Sequence, residues 1–182
     1  MIRLLRTVLK RLCFLRKLSV LMRTFSNVRA LIDASLTFPF LRVLSLGPIC
    51  DVDILFLQRL PKLQDLDLQM REISTTAHMP GSFRQLTCYF GMAQHIPHII
   101  PSSAVRIACI TCNILLKERW IELMACLRQS TVPIEHFQCG PQALQIDMIL
   151  AIPDYLPDLR VLHLTQIVRN LPVCRCPPFV TC

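Results

Sequence analysis

One phrase occurs three times in this 182-residue chain, and it limits the accessible folds more than any other feature. Phe38-Pro39-Phe40-Leu41-Arg42-Val43-Leu44-Ser45-Leu46 returns as Leu60-Pro61-Lys62-Leu63-Gln64-Asp65-Leu66-Asp67-Leu68 and as Leu156-Pro157-Asp158-Leu159-Arg160-Val161-Leu162-His163-Leu164. Each copy reads apolar-Pro-x-Leu-x-x-Leu-x-Leu. Its last two leucines alternate with polar or small residues, the period of a strand with one face buried, and its proline stops a preceding helix. A sequence that repeats one strand-forming unit points to stacked repeats rather than to a mixed globular sheet.

Weaker copies occur at similar steps. The first leucines of the first two copies lie 22 residues apart; Phe83-Arg84-Gln85-Leu86-Thr87-Cys88 follows 20 residues on, and Val105 to Ile110 after a further 22. Ile134 to Cys139 comes 29 later, Leu159 another 25 later, and Leu15 to Val20 lies 26 before Leu41. Seven candidate strands result. Between them, Asp51 is a suitable N-cap for a short helical face of Ile54, Leu55, Leu57 and Leu60 that ends at Pro61. Residues 117–128 set Trp120, Ile121, Leu123, Met124 and Leu127 among charged residues and read as an amphipathic helix, and residues 141–155 read as another. Residues 71–82 and 91–103, rich in Pro, Gly, Thr, Ser and His, predict loop or a single turn. Parallel strands joined by right-handed connections are the expected path.

The phrase Leu-x-x-Leu-x-Leu at these steps resembles the leucine-rich repeat. The Pro-x-Leu lead-in with irregular steps is similar to the repeat regions of F-box proteins of mushroom-forming fungi. The resemblance covers roughly Leu15 to Leu164. It implies an α/β leucine-rich-repeat solenoid with a curved parallel sheet and short helices on the convex side. It also implies protein binding through the concave face, as in the substrate-recognition part of a ubiquitin-ligase adaptor, with ligase subunits as partners. The chain departs from the family at position nine of the phrase, where Asn or Cys often bonds the turn; here the residues are Ile49, Arg71 and Ile167. It also has no Leu-Pro-x-Glu-hydrophobic stretch of the kind that opens an F-box.

The expected organisation is a solenoid over residues 1–168, with clear repeats at 38–46, 60–68 and 156–164, and an irregular tail over 169–182. A hydrophobic content of 53% suits leucines buried between neighbouring repeats. Neither end reads as a polar cap, so a solenoid incomplete at both ends is expected, with sticky terminal strands and poor solubility.

The net charge of +8 is concentrated at one end. Residues 1–23 hold seven bases and no acid, while the rest carries 13 bases against 12 acids. A near-neutral body argues against nucleic acid as the partner. In the basic segment Leu4, Leu5, Val8, Leu12 and Leu15 share a helical face opposite Arg3, Arg6, Lys10 and Lys17. This helix reads as part of a preceding repeat; the alternative is a mitochondrial targeting or membrane-surface helix. No stretch reads as transmembrane or as a secretory signal, so the expected location is intracellular, cytoplasmic or nuclear, with mitochondrial as the alternative.

Chemistry-bearing patterns are sparse. Ten cysteines are scattered without a disulfide framework. Cys88 and Cys139 fall at the last leucine position of their phrases, which predicts burial. Cys109 and Cys112 form the single C-x-x-C, but residues three apart on a strand face opposite ways, and His95 and His98 have no matching spacing to complete a zinc site. Nucleophile-elbow, phosphate-loop and metalloprotease signatures do not occur. The expectation is a non-enzymatic protein with no catalytic, metal or cofactor site.

What remains is a surface. With the leucines inward, the outward positions are Lys17 and Ser19, Val43 and Ser45, Asp65 and Asp67, Gln85 and Thr87, Ile107 and Cys109, His136 and Gln138, and Val161 and His163. Val43, Ser45, Asp65, Asp67, Gln85, Thr87, His136, Gln138, Val161 and His163 are the candidate partner-binding residues. Their mixture of acidic, imidazole, amide and apolar groups suits an unidentified protein partner.

Overall fold

Each copy of the phrase enters its strand through the same turn. In the computed structural model the amide of Leu41 donates to the Phe38 carbonyl at 3.2 Å, Leu63 to Leu60 at 3.2 Å and Leu159 to Leu156 at 3.3 Å. Pro39, Pro61 and Pro157 occupy the second position of these turns, where a fixed φ is favoured and no N–H is needed. The same turn closes without proline at Leu15 and at Leu86, whose amides donate to Leu12 and Phe83. The structure describes residues 7, 9, 11, 12, 14–20, 37–47, 50–53, 56, 57, 59–69, 72–74, 83–111, 117–140 and 145–165.

The strands are β1 (Lys17–Val20), β2 (Val43–Leu46), β3 (Cys50–Asp53), β4 (Asp65–Leu68), β5 (Glu72–Ser74), β6 (Cys88–Met92), β7 (Ile107–Thr111), β8 (His136–Cys139) and β9 (Val161–Leu164). Seven form one sheet in the order β1-β2-β4-β6-β7-β8-β9, and every neighbouring pair is parallel. The fold is therefore α/β with an all-parallel sheet whose strands follow chain order. One bond pattern sets the register at each step. The carbonyl just before a strand accepts two successive amides of the next unit: Arg16 from Arg42 and Val43, Arg42 from Gln64 and Asp65, Gln64 from Thr87 and Cys88. Thr87, Arg106 and Glu135 continue the series.

The leucine face holds the core. Leu44, Leu46, Leu66 and Leu68 are buried, and the same ladder continues through Tyr89, Ala108, Ile110, Phe137 and Cys139. Helix α1 is Ile96–Ile99, α2 Lys117–Leu127, α3 Ile146–Leu150 and α4 Ile152–Tyr155. Trp120 of α2 lies edge-on to Phe137 at 6.1 Å, so α2 covers the leucine face beside β8. The sheet is less protected at its far side: Leu162 is 39% exposed although its equivalents Leu44 and Leu66 are buried.

Several connections differ from expectation. Asp51 caps no helix; it lies in β3, which pairs with β5 in a separate two-stranded parallel sheet. A backbone ladder to a segment some 20 residues away overrides the local capping preference of Asp. The same pairing makes a strand of Glu72–Ser74 within the segment expected to be loop. Gly91 and Met92 complete β6, and Ala93–His95 forms a 3-10 turn running into the single turn of α1. Residues 145–155 form two helices rather than one. Pro153 lies in the first turn of α4, where the missing N–H is tolerated, and its ring is incompatible with a helix continuing unbroken from α3. The helix over 117–128 is present as α2, with Trp120, Leu123, Met124 and Leu127 buried as the periodicity required.

Of the N-terminal amphipathic segment, Thr7, Leu9 and Arg11 are helical. Leu9 is buried, whereas Leu12, expected on the apolar face, is 42% exposed at the turn into β1. Leu4, Leu5, Val8 and the bases at 3, 6 and 10 lie outside the described residues, as does the tail from 166.

Candidate sheet-face interaction site

Opposite the leucines, strict register lines up two straight rows. Lys17, Val43, Asp65, Cys88, Ile107, His136 and Val161 form one, and Ser19, Ser45, Asp67, Phe90, Cys109, Gln138 and His163 the other. Eight of the ten sequence-derived site residues are therefore brought together: Val43, Ser45, Asp65, Asp67, His136, Gln138, Val161 and His163. Gln85 and Thr87 are not among them. Gln85 sits in the turn that closes at Leu86, and Thr87 precedes β6, its hydroxyl donating to the Gln64 carbonyl at 3.2 Å.

Cys88 and Phe90 take their places on the face. The error is one of register. Aligning Phe83 with Leu63 shifts this unit by three residues, an odd number that exchanges the faces of the strand. Leu86 is the true counterpart of Leu63, but the turn before it lacks proline, and the following strand reads Tyr89-Phe90-Gly91 where the three clear copies read Leu-x-Leu. For the same reason Cys88 is half-buried on the outer face, not in the core, while Cys139 is fully buried as expected.

Neighbouring strands about 4.8 Å apart let side chains along each row shield one another. Lys17, Ser19, Val161 and His163 at the sides are exposed, the residues between are half-buried, and Cys109 is buried. Ser45 and Asp67 are direct cross-strand partners, and the serine hydroxyl donates to Asp67 Oδ2 at 2.7 Å. The Gln69 amide reaches the same oxygen at 3.5 Å. Oδ1 is shielded from water with no donor among the described residues. Burial raises the Asp67 pKa above the usual carboxylate value against these hydrogen bonds; burial also raises that of Asp65, opposed by the charge of Lys17.

The centre of the face is apolar and chemically quiet. Burial, with the nearby Asp65 charge, pushes the Cys88 thiol up to about 12, so it stays protonated at neutral pH and is a poor nucleophile. Phe90, Ile107 and Cys109 lie beside it, and the Cys109 thiol contacts the Gln138 side-chain oxygen at 3.9 Å. At the far side the His136 and His163 rings meet edge to face at 5.5 Å. Burial and the neighbouring imidazole lower the His136 pKa, and its Nε2 is shielded without a hydrogen-bond partner among the described residues. Among the described residues no group of three His, Cys, Asp or Glu side chains is placed to hold a metal ion. Cys112 and the terminal cysteines lie outside them, as do the side chains of β3 and β5.

His95 and His98 sit away from this face, in the 3-10 turn and in α1. His95 is buried, and burial together with His98 lowers its pKa to about 4. An unfolded chain binds this proton below pH ~6.5, whereas the folded chain resists it until about 4, so stability falls as pH drops through that window. Between pH 7.5 and 5 the loss assignable to His95 is about 2 kcal/mol. Urea unfolding at the two pH values should show it in the wild-type chain and not in His95→Gln; equal losses in both would remove His95 as the cause. The raised carboxylates on the sheet face act in the opposite sense, favouring the folded state as they protonate, so only the comparison isolates the histidine.

Compared with known proteins, the chain matches no family model, no curated protein and no solved structure. Among the described residues no helix is long and apolar enough to cross a membrane.

Proposed function

We infer that the chain is a non-enzymatic leucine-rich-repeat scaffold that binds another protein across its outer, concave sheet face. The observation that carries this reading is the continuity of register over seven strands, which merges eight separately predicted residues into one surface about 30 Å wide. That surface mixes an acidic pair, an apolar centre and imidazoles, the composition of a protein-recognition patch. The in-order parallel strands and the recurring turn support the repeat reading; the resemblance of the phrase to fungal F-box repeat regions extends it to substrate recognition for a ubiquitin ligase. The basic N-terminal segment, with its amphipathic sequence pattern, supports the second reading, direction to mitochondria or to a membrane surface, which import into isolated mitochondria would test.

The scaffold reading is tested by pull-down with the full chain beside a variant carrying Asp65→Lys, Asp67→Lys and His163→Glu. Partners recovered by the wild type should be lost by the variant while circular dichroism is unchanged, and ligase subunits among them would support the adaptor role. Identical partner lists would place binding elsewhere.

A further inference from the structure

The sheet face is asymmetric along its rows, and the asymmetry defines what it can select. On β4 stand Asp65 and Asp67, and the one cation in the two rows is Lys17, two strands away on β1. Lys17 lies in the row of Asp65, not in that of Asp67. Asp67 is held by neutral donors on one oxygen and, among the described residues, has none on the other. A half-buried carboxylate in this state gains most from a charged donor brought by a partner, because charge-assisted hydrogen bonds are about twice as strong as neutral ones. Beyond it, at steps of about 4.8 Å, the same row continues through Phe90 and Cys109 before reaching Gln138. Alternate side chains of an extended segment lie about 7 Å apart on one side, which matches the distance from Asp67 to the midpoint between Phe90 and Cys109.

Resting on the scaffold reading above, we propose that the face selects a protein segment of the form base-x-apolar, lying across the strands. Its Arg or Lys pairs with the half-buried carboxylates of Asp65 and Asp67, and its apolar side chain, two residues along, covers Phe90 and Cys109. The acidic pair sets the direction of the segment, since the opposite orientation would place the base over the His136–His163 side. Cys88 and Ile107 in the adjacent row extend the apolar contact, and both are neutral, so nothing there repels or competes for the cation.

Random dodecapeptides displayed on phage and selected on the full chain test this. The expected enrichment is Arg or Lys followed two residues later by Leu, Ile, Phe or Met. On the full chain carrying Asp65→Asn and Asp67→Asn, which keeps the side-chain shapes, the basic preference should vanish. A synthetic selected peptide should bind that variant at least about tenfold more weakly, the loss of one charged hydrogen bond. Enriched peptides without a base, or a preference retained by the double variant, overturn the base-x-apolar inference and leave the scaffold reading intact. Peptides indifferent to both Phe90→Gln and Ile107→Gln, each checked for unchanged circular dichroism, overturn the two together.

Discussion

Trp120→Ala should cost about 3–5 kcal/mol of folding free energy, the range for deleting a large buried aromatic side chain. Trp120 is fully buried, packs edge-on against Phe137 of β8, and donates from Nε1 to the Met148 carbonyl at 2.9 Å. One side chain thus joins α2, the sheet and α3. Trp120→Phe separates the contributions: it retains most of the apolar volume and leaves the carbonyl without this donor, for a loss of about 1–3 kcal/mol. Urea unfolding of the three chains measures both. A loss below about 1 kcal/mol for the alanine variant would show that α2 is not docked on the leucine face in solution.

Gly91→Ala should destabilise by about 1–3 kcal/mol, a large effect for one methyl group. Gly91 occupies the position of Leu46 and Leu68 in the neighbouring copies, but Tyr89 has taken the space. A Cβ at 91 would meet Tyr89 Oη at 2.5 Å, Tyr89 Cζ at 2.9 Å and the Leu68 carbonyl oxygen of the adjacent strand at 2.8 Å. Tyr89 is itself fully buried, and its hydroxyl donates to the Met92 carbonyl at 3.1 Å. Tyr89→Phe alone costs about 1 kcal/mol through that bond. Combined with Gly91→Ala it should cost about 0.5–1 kcal/mol less than the sum of the two, because the hydroxyl contact is relieved while the Leu68 carbonyl contact remains. Additive losses in thermal or urea unfolding would mean that tyrosine and glycine do not share one space.

This exchange of Leu-x-Leu for Tyr-x-Gly also explains where the sequence could be read and where it could not. In the copies that begin Phe38, Leu60 and Leu156, proline fixes the turn and two leucines fix the face, so Val43, Ser45, Asp65, Asp67, Val161 and His163 could be assigned to the outer rows directly. In the unit from Phe83, both signals are missing. Phe83 then passes for the first leucine, Gln85 and Thr87 are assigned to a face they do not reach, and Phe90, central to the candidate site, goes unnoticed. A search for the turn alone, with an apolar residue three places before an apolar residue, would have offered Phe83–Leu86 as an alternative frame.

The sequence by itself determined the number of strands in the main sheet, their order of occurrence and the alternation that separates core from surface, because turn chemistry and strand period are local. The depth of each outer residue, the pairing of β3 with β5 and the register of the fourth unit were decided only in the tertiary structure. Each depends on hydrogen bonds or packing between residues some 20 to 30 positions apart, such as the Gln64 carbonyl that accepts both Thr87 and Cys88. No local preference encodes such a partner, so the residue that faces outward is chosen when neighbouring strands lock together.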